Sequence, residues 1–217
     1  MVSKHAADGR PKPSGNAPSP CARLVRLVLL GVALAVLVAP SHASGADPAL
    51  VRGPYLTKAR RTSMTIVWRT DVAGTSVVRW GAGTALDQTA TGPDGTTHKV
   101  RLSGLTPGAR YSYRVETGGV TLGRRRAFRT LDPANDPSFR FAVVGDFGTG
   151  SAAEVAVEDR IVLARPRLLM TVGDNAYSSG SEAELDAKVF PQYADLIDHV
   201  AINPVLGNHD VGTATGA

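Results

Sequence analysis

The sequence predicts an all-β sandwich followed by an α/β domain represented by a βαβαβ half only. Three observations carry this. Between residues 50 and 130, short runs rich in β-branched and aromatic residues alternate with Gly-, Pro- and Asp-rich turns. From residue 139 the runs become continuously apolar and are separated by helical periodicity. Each of these later runs then ends in a Gly-Asp or Gly-Asn turn.

The first element is a leader at residues 1–43. Lys4, Arg10, Lys12, Arg23 and Arg26 face Asp8 alone there, so four of the chain's five net positive charges belong to it. A basic, Pro-rich stretch leads into the apolar run Leu27–Val38, followed by Ala39-Pro40-Ser41-His42-Ala43. Ser41 and Ala43 have the small-residue spacing of a cleavage site, and the run is short of the ~20 residues a bilayer span needs. A cleaved signal peptide and a secreted or extracytoplasmic protein are expected, with no stable membrane span; an uncleaved anchor is the alternative. Cys21, the only cysteine, would leave with the leader, so disulfides are not expected despite the oxidising compartment. The near-neutral remainder argues against a nucleic-acid partner.

Residues 50–131 form the expected sandwich. Met64–Arg69, Ser76–Trp80, His98–Leu102 and Tyr111–Val115 read as strands, with turns at Gly92–Gly95 and Thr106–Gly108. Trp68 is the candidate core tryptophan, and His98 reads as a surface strand residue. Arg124-Arg125-Arg126 reads as a solvated strand edge, with an anion contact as the alternative. No clustered titratable set in this segment suggests catalysis.

Asp132–Pro137, rich in Asp, Asn and Pro, is the expected linker, and residues 138–217 form the α/β part. Phe139–Val144, Leu168–Val172 and the more broken Val200–Leu206 read as parallel strands. Between the first two, Ser151 and Glu154 form a capping-box pattern, and Ala153, Val157 and Ile161 share one helical face. Ser181 and Glu184 repeat the pattern before Leu185 and Val189, and Pro191 should interrupt that helix. This order implies right-handed crossovers and a parallel sheet.

The three strands lead into Gly145-Asp146-Phe147-Gly148, Gly173-Asp174-Asn175-Ala176-Tyr177 and Gly207-Asn208-His209-Asp210. In a parallel sheet these turns share the carboxyl edge, where open α/β folds bind ligands. Two carboxylates, a phenol and an amide oxygen are hard donors suited to hard cations, and Fe(III) accepts a phenolate. One Gly-Asp turn would mean little; three in succession, each after an apolar strand, are hard to obtain by chance.

The series GDFG, GDNAY and GNHD resembles the metallophosphoesterase motifs GDxG, GDxxY and GNH[DE] of purple acid phosphatases. The Leu105–Tyr111 run resembles a fibronectin type III tyrosine corner, matching the N-terminal domain many of those enzymes carry. The resemblance implies a fibronectin-like sandwich ahead of a metallophosphoesterase domain and a dinuclear site of Fe(III) plus Zn(II), Mn(II) or Fe(II). It implies that Asp146 binds the ferric ion, Tyr177 binds it as a coloured phenolate, Asp174 bridges both metals, and Asn208 binds the divalent ion. His209 would contact the substrate phosphate and help protonate the leaving alcohol, with Asp210 orienting it. For Tyr177 the alternative is a packing tyrosine, and for His209 an ordinary turn histidine.

The expected function is hydrolysis of phosphate monoesters on small molecules, by metal-bound hydroxide in line, without a phosphoenzyme. The alternatives are a phosphodiesterase or nucleotidase of the same superfamily, and a secreted non-catalytic binding module. The family completes its site with histidines in VxxH and GHxH motifs that this sequence lacks; His5, His42, His98 and His199 do not replace them. The expectation is a fragment of a longer enzyme, inactive or nearly so alone, with a genuine short protein as the alternative.

Overall fold

The structure, a computed structural model, describes residues 46–133 and 138–212. The leader at 1–43 and most of the linker lie outside these residues. Among the described residues no helix is long and apolar enough to cross a membrane.

The β module comprises β1 (Leu50–Thr57), β2 (Ser63–Ala82), β3 (Gln88–Ser103), β4 (Arg110–Thr117) and β5 (Val120–Arg129), all antiparallel. β2 is long and changes partner. Its first half pairs with β1, its second half with β4, and β3 follows it along the other side. The sheet therefore folds over on itself around a core of Leu56, Ile66, Trp68, Val78, Val100, Tyr113 and Val115.

The turn expected at Gly92–Gly95 is instead part of β3. The ladder slips between Arg69, Gly74 and Ser76 of β2, opposite Gly92–Gly95, so these glycines bend a continuous strand. His98 also departs from expectation, being fully buried. Its ring stacks on Trp68 at 4.8 Å, and its nitrogens meet Thr70 Oγ1 at 2.7 Å and Ser76 Oγ at 2.8 Å. Alternation placed it inward, and two hydroxyls supply the polar partners that make burial tolerable. Trp68 donates to Thr117 Oγ1 at 2.9 Å. Tyr111 closes the tyrosine corner by accepting the Thr106 backbone N–H at 2.9 Å.

The second part has three parallel strands in the order β6 (Phe141–Val144), β7 (Leu168–Thr171), β8 (Ala201–Asn203). Helix α1 (Ala152–Ala164) connects β6 to β7. A short α2 (Glu182–Glu184) runs into a π-turn at Leu185–Val189; after Pro191, α3 (Ala194–Ile197) leads to β8. The strands read as apolar on both faces, yet only one face is covered among the described residues. Leu169 and Thr171 are buried, while Phe141, Val143, Met170 and Val172 are exposed. The expected apolar face of α1 is likewise mostly open: Ile161 is buried, but Ala153 and Val157 are exposed.

The β module buttresses the segment between β7 and β8. Tyr113, fully buried, donates to the Asp198 carbonyl at 2.6 Å. Arg52 pairs with Asp186 at 2.5 Å and Glu182 at 2.6 Å, and its guanidinium lies 4.3 Å from the Phe190 ring centre. Ala201 of β8 packs into the core of the β module.

Candidate metal centre

The turns after β6, β7 and β8 meet at the carboxyl edge of the parallel sheet. Asp146 and Asp174 each directly follow a glycine beyond a strand end, and both hold left-handed backbone, with φ of 51° and 50°. Asp is among the few residue types that tolerate this conformation. The turns are tied together by main chain: Asp146 N donates to Gly173 O and Phe147 N to Asp174 O, both at 3.2 Å. Tyr177 N donates to Gly148 O at 3.1 Å. Two glycines permit this closeness. A Cβ on Gly148 would lie 2.1 Å from Asn175 O, and one on Gly207 would lie 2.2 Å from Asp174 Oδ1.

The outcome is a convergence of oxygens. The Tyr177 hydroxyl lies 3.0 Å from Asp146 Oδ1 and 3.3 Å from Asp174 Oδ2, one proton serving two carboxylates. Burial, then the hydrogen bond and charge of Asp146, push this phenol up to about 12. Asp174 also accepts the His209 backbone N–H at 2.9 Å, which brings the third turn to the first two. The His209 ring sits 4.7 Å from that of Tyr177. Its Nδ1 lies 2.8 Å from Ser178 O; a carbonyl only accepts, so Nδ1 carries the proton and Nε2 is left for a ligand. Asn208 is exposed on the same turn, and its side chain makes no hydrogen bond among the described residues.

Asp210 lies apart from this cluster. Its carboxylate is 2% exposed and accepts Asn175 N at 2.9 Å, Asn175 Nδ2 at 2.7 Å and Gly207 N at 2.8 Å. It clamps two turns together and, among the described residues, makes no hydrogen bond with the His209 ring. The expected orienting contact on that ring comes from Ser178 instead.

Two carboxylates hold the turns from behind. Glu154 was expected to complete a capping box with Ser151. Its carboxylate instead accepts Gly148 N at 3.0 Å, Thr149 N at 2.8 Å and Gly150 N at 2.7 Å, while Ser151 caps the helix alone. Glu184 does complete its box with Ser181 and also takes the N–H groups of Ser178 and Ser179. Burial opposes its ionisation, but the backbone donors of Ser181, Ser179 and Ser178 outweigh it and bring the carboxyl down to about 2. Lys188 donates to the Tyr177 carbonyl. The Ser-x-x-Glu spacing marked both glutamates, though as helix starts rather than as supports of the site.

No three His, Cys, Asp or Glu side chains among the described residues are placed to hold a metal. The cluster is an oxygen set that includes a phenol. Among the described residues neither Asp146 nor Asp174 forms an ion pair, and their protein partners are the Tyr177 hydroxyl and, for Asp174, the His209 backbone N–H. That arrangement fits a hard cation.

Comparison with known proteins bears on the sandwich most directly. Residues 53–130 match the family model described as "Purple acid Phosphatase, N-terminal domain". No curated protein matches the chain. Among solved structures, the chain is similar to the purple acid phosphatase PPD1 from yellow lupin (Lupinus luteus) seeds, with a TM-score of 0.57 and 17% identity. That similarity covers 75% of this chain and 35% of the lupin protein. A structure of PhoD is similar with a TM-score of 0.58 and 15% identity, over 78% of this chain and 41% of that one. The likeness is one of fold, and the chain spans well under half the length of either protein.

Proposed function

We propose that the protein is a secreted phosphoesterase, a reading supported by the match of residues 53–130 to the purple acid phosphatase N-terminal domain model. It hydrolyses phosphate monoesters of small molecules at a dinuclear metal site in a metallophosphoesterase domain that begins at residue 138. The observation that carries this reading is the convergence of Asp146 and Asp174 on the Tyr177 hydroxyl, with no ion pair to either carboxylate among the described residues.

Asp146 and Tyr177 would hold Fe(III), Asp174 would be shared by both metals, and Asn208 would offer its amide oxygen to a divalent Zn, Mn or Fe ion. When bound, the metal pair supplies an acidified water and neutralises charge on the phosphoryl oxygens. His209, its Nδ1 proton held by Ser178, presents Nε2 to the substrate. That nitrogen is the one to exchange a proton with a phosphoryl or leaving-group oxygen. Asp210 positions the turns and touches no substrate.

The test is p-nitrophenyl phosphate hydrolysis by the intact protein supplied with iron and zinc. Asp174→Asn should lower kcat by at least about 100-fold, the scale of losing an electrostatic catalytic element. Undiminished turnover in that variant would rule out the assigned site.

A further inference from the structure

A second charged feature lies at the opposite, amino edge of the parallel sheet. A cleft of about 1010 Å³ opens between β4 and β5 on one side and α1 and α3 on the other. Its lining includes eight arginines against two aspartates. Outside the leader the chain is almost neutral, so the positive charge is gathered here rather than spread.

Four of these arginines are held by carboxylates, and a fifth, Arg125, donates to the Thr84 carbonyl at 3.1 Å. Arg124 and Arg126 pair with Asp198 at 2.9 and 3.2 Å, and Arg129 and Arg167 pair with Asp132 at 3.2 and 3.6 Å. The other four, Arg110, Arg125, Arg140 and Arg165, are exposed and meet no carboxylate among the described residues. Each comes from a different element: the start of β4, the middle of β5, the approach to β6 and the end of α1. Arg165 also holds left-handed backbone, with φ of 49°, at a helix C-terminus where glycine is the ordinary occupant. Like charges held together around a cleft, one of them at a conformational cost, point to an anionic ligand.

The layout selects its chemistry. Guanidinium forks suit phosphate oxygens, and four of them spread around an open cleft suit a chain of phosphates better than one ion. Of the rings that line the cleft, Phe128 is 2% exposed and His199 is tied to the Asp198 carboxylate at 3.0 Å, so there is no broad aromatic platform on which bases could stack. We propose that this cleft binds linear inorganic polyphosphate. The proposal is independent of the hydrolytic reading and requires no metal.

The test is fluorescence anisotropy of labelled polyphosphate titrated with the 217-residue chain in chelator, across a salt series. Binding should weaken steeply with salt, as for other polyanions. Arg110→Gln with Arg140→Gln should weaken it about tenfold or more. Arg165→Gly should weaken it while leaving thermal stability equal or higher, since glycine suits that backbone. Absence of binding at low salt would overturn the proposal, as would unchanged affinity in both variants. Equal affinity for single-stranded DNA or heparin would overturn the assignment to polyphosphate.

Discussion

Removing the Asp210 carboxylate should cost far more than its distance from the reacting oxygens suggests. It is 2% exposed and satisfies two backbone donors, Asn175 N and Gly207 N, and the Asn175 amide. Each hydrogen bond to a charged acceptor is worth about 1.5–3 kcal/mol, offset by the several kcal/mol needed to bury the carboxylate. Asp210→Ala strands three donors and should destabilise the protein by about 3–5 kcal/mol. Asp210→Asn keeps one accepting oxygen but turns an N–H₂ toward a donor, and should cost about 2 kcal/mol. At roughly 2–4 °C per kcal/mol for a chain of this size, the alanine variant should melt about 6–20 °C lower by circular dichroism. Amide exchange at Asn175 and Gly207 should quicken before that at Trp68, because the clamp joins turns and leaves the β module untouched. A loss below about 1 kcal/mol, the scale of an exposed carboxylate, would refute the clamp.

Other consequences are open to equally direct checks. Glu184 is depressed to about 2, so its stabilisation is complete above its ordinary value of 4.5 and is lost as pH falls through about 2. The stability gap between wild type and Glu184→Gln should thus be constant from pH 7 to 5 and close toward pH 2; a gap that persists at pH 2 would contradict the assignment. Burial lowers the pKa of His98, so acid disfavours the fold as this ring is forced to protonate. Denaturant midpoints should fall below pH 6.5 in wild type and flatten in His98→Leu, which will also be less stable at neutral pH. Tyr113→Phe removes a buried 2.6 Å bond to the Asp198 carbonyl and should cost about 1–2 kcal/mol by urea denaturation. No measurable change there would mean the β module does not brace the α3 segment.

Much of the architecture is legible in the sequence because one physical rule decides it. Alternation and β-branching locate the sandwich strands, and continuous apolar runs with intervening helical periodicity locate β6, α1 and β7. Gly92–Gly95 was misleading because Gly, Pro and Asp favour turns locally, whereas the ladder to β2 carries this strand through a bend. His98 misled for a related reason: a polar side chain reads as surface unless its partners are known, and Thr70 and Ser76 are distant in sequence. At the carboxyl edge, spacing brings Asp146, Asp174 and Tyr177 together in the sequence reading. It does not reveal that the Asp210 carboxylate is taken up by Asn175 and Gly207, or that Glu154 serves the glycine turn. Those contacts depend on loop paths, to which periodicity is blind.

The most direct test of the central claim is a titration of the chain with Fe(III), followed by visible absorption. If Asp146 and Tyr177 hold the ion, a phenolate-to-iron band should grow in wild type and be absent in Tyr177→Phe at the same iron occupancy. Bound iron without such a band, or a band that survives in Tyr177→Phe, would contradict a ferric–phenolate centre at these turns.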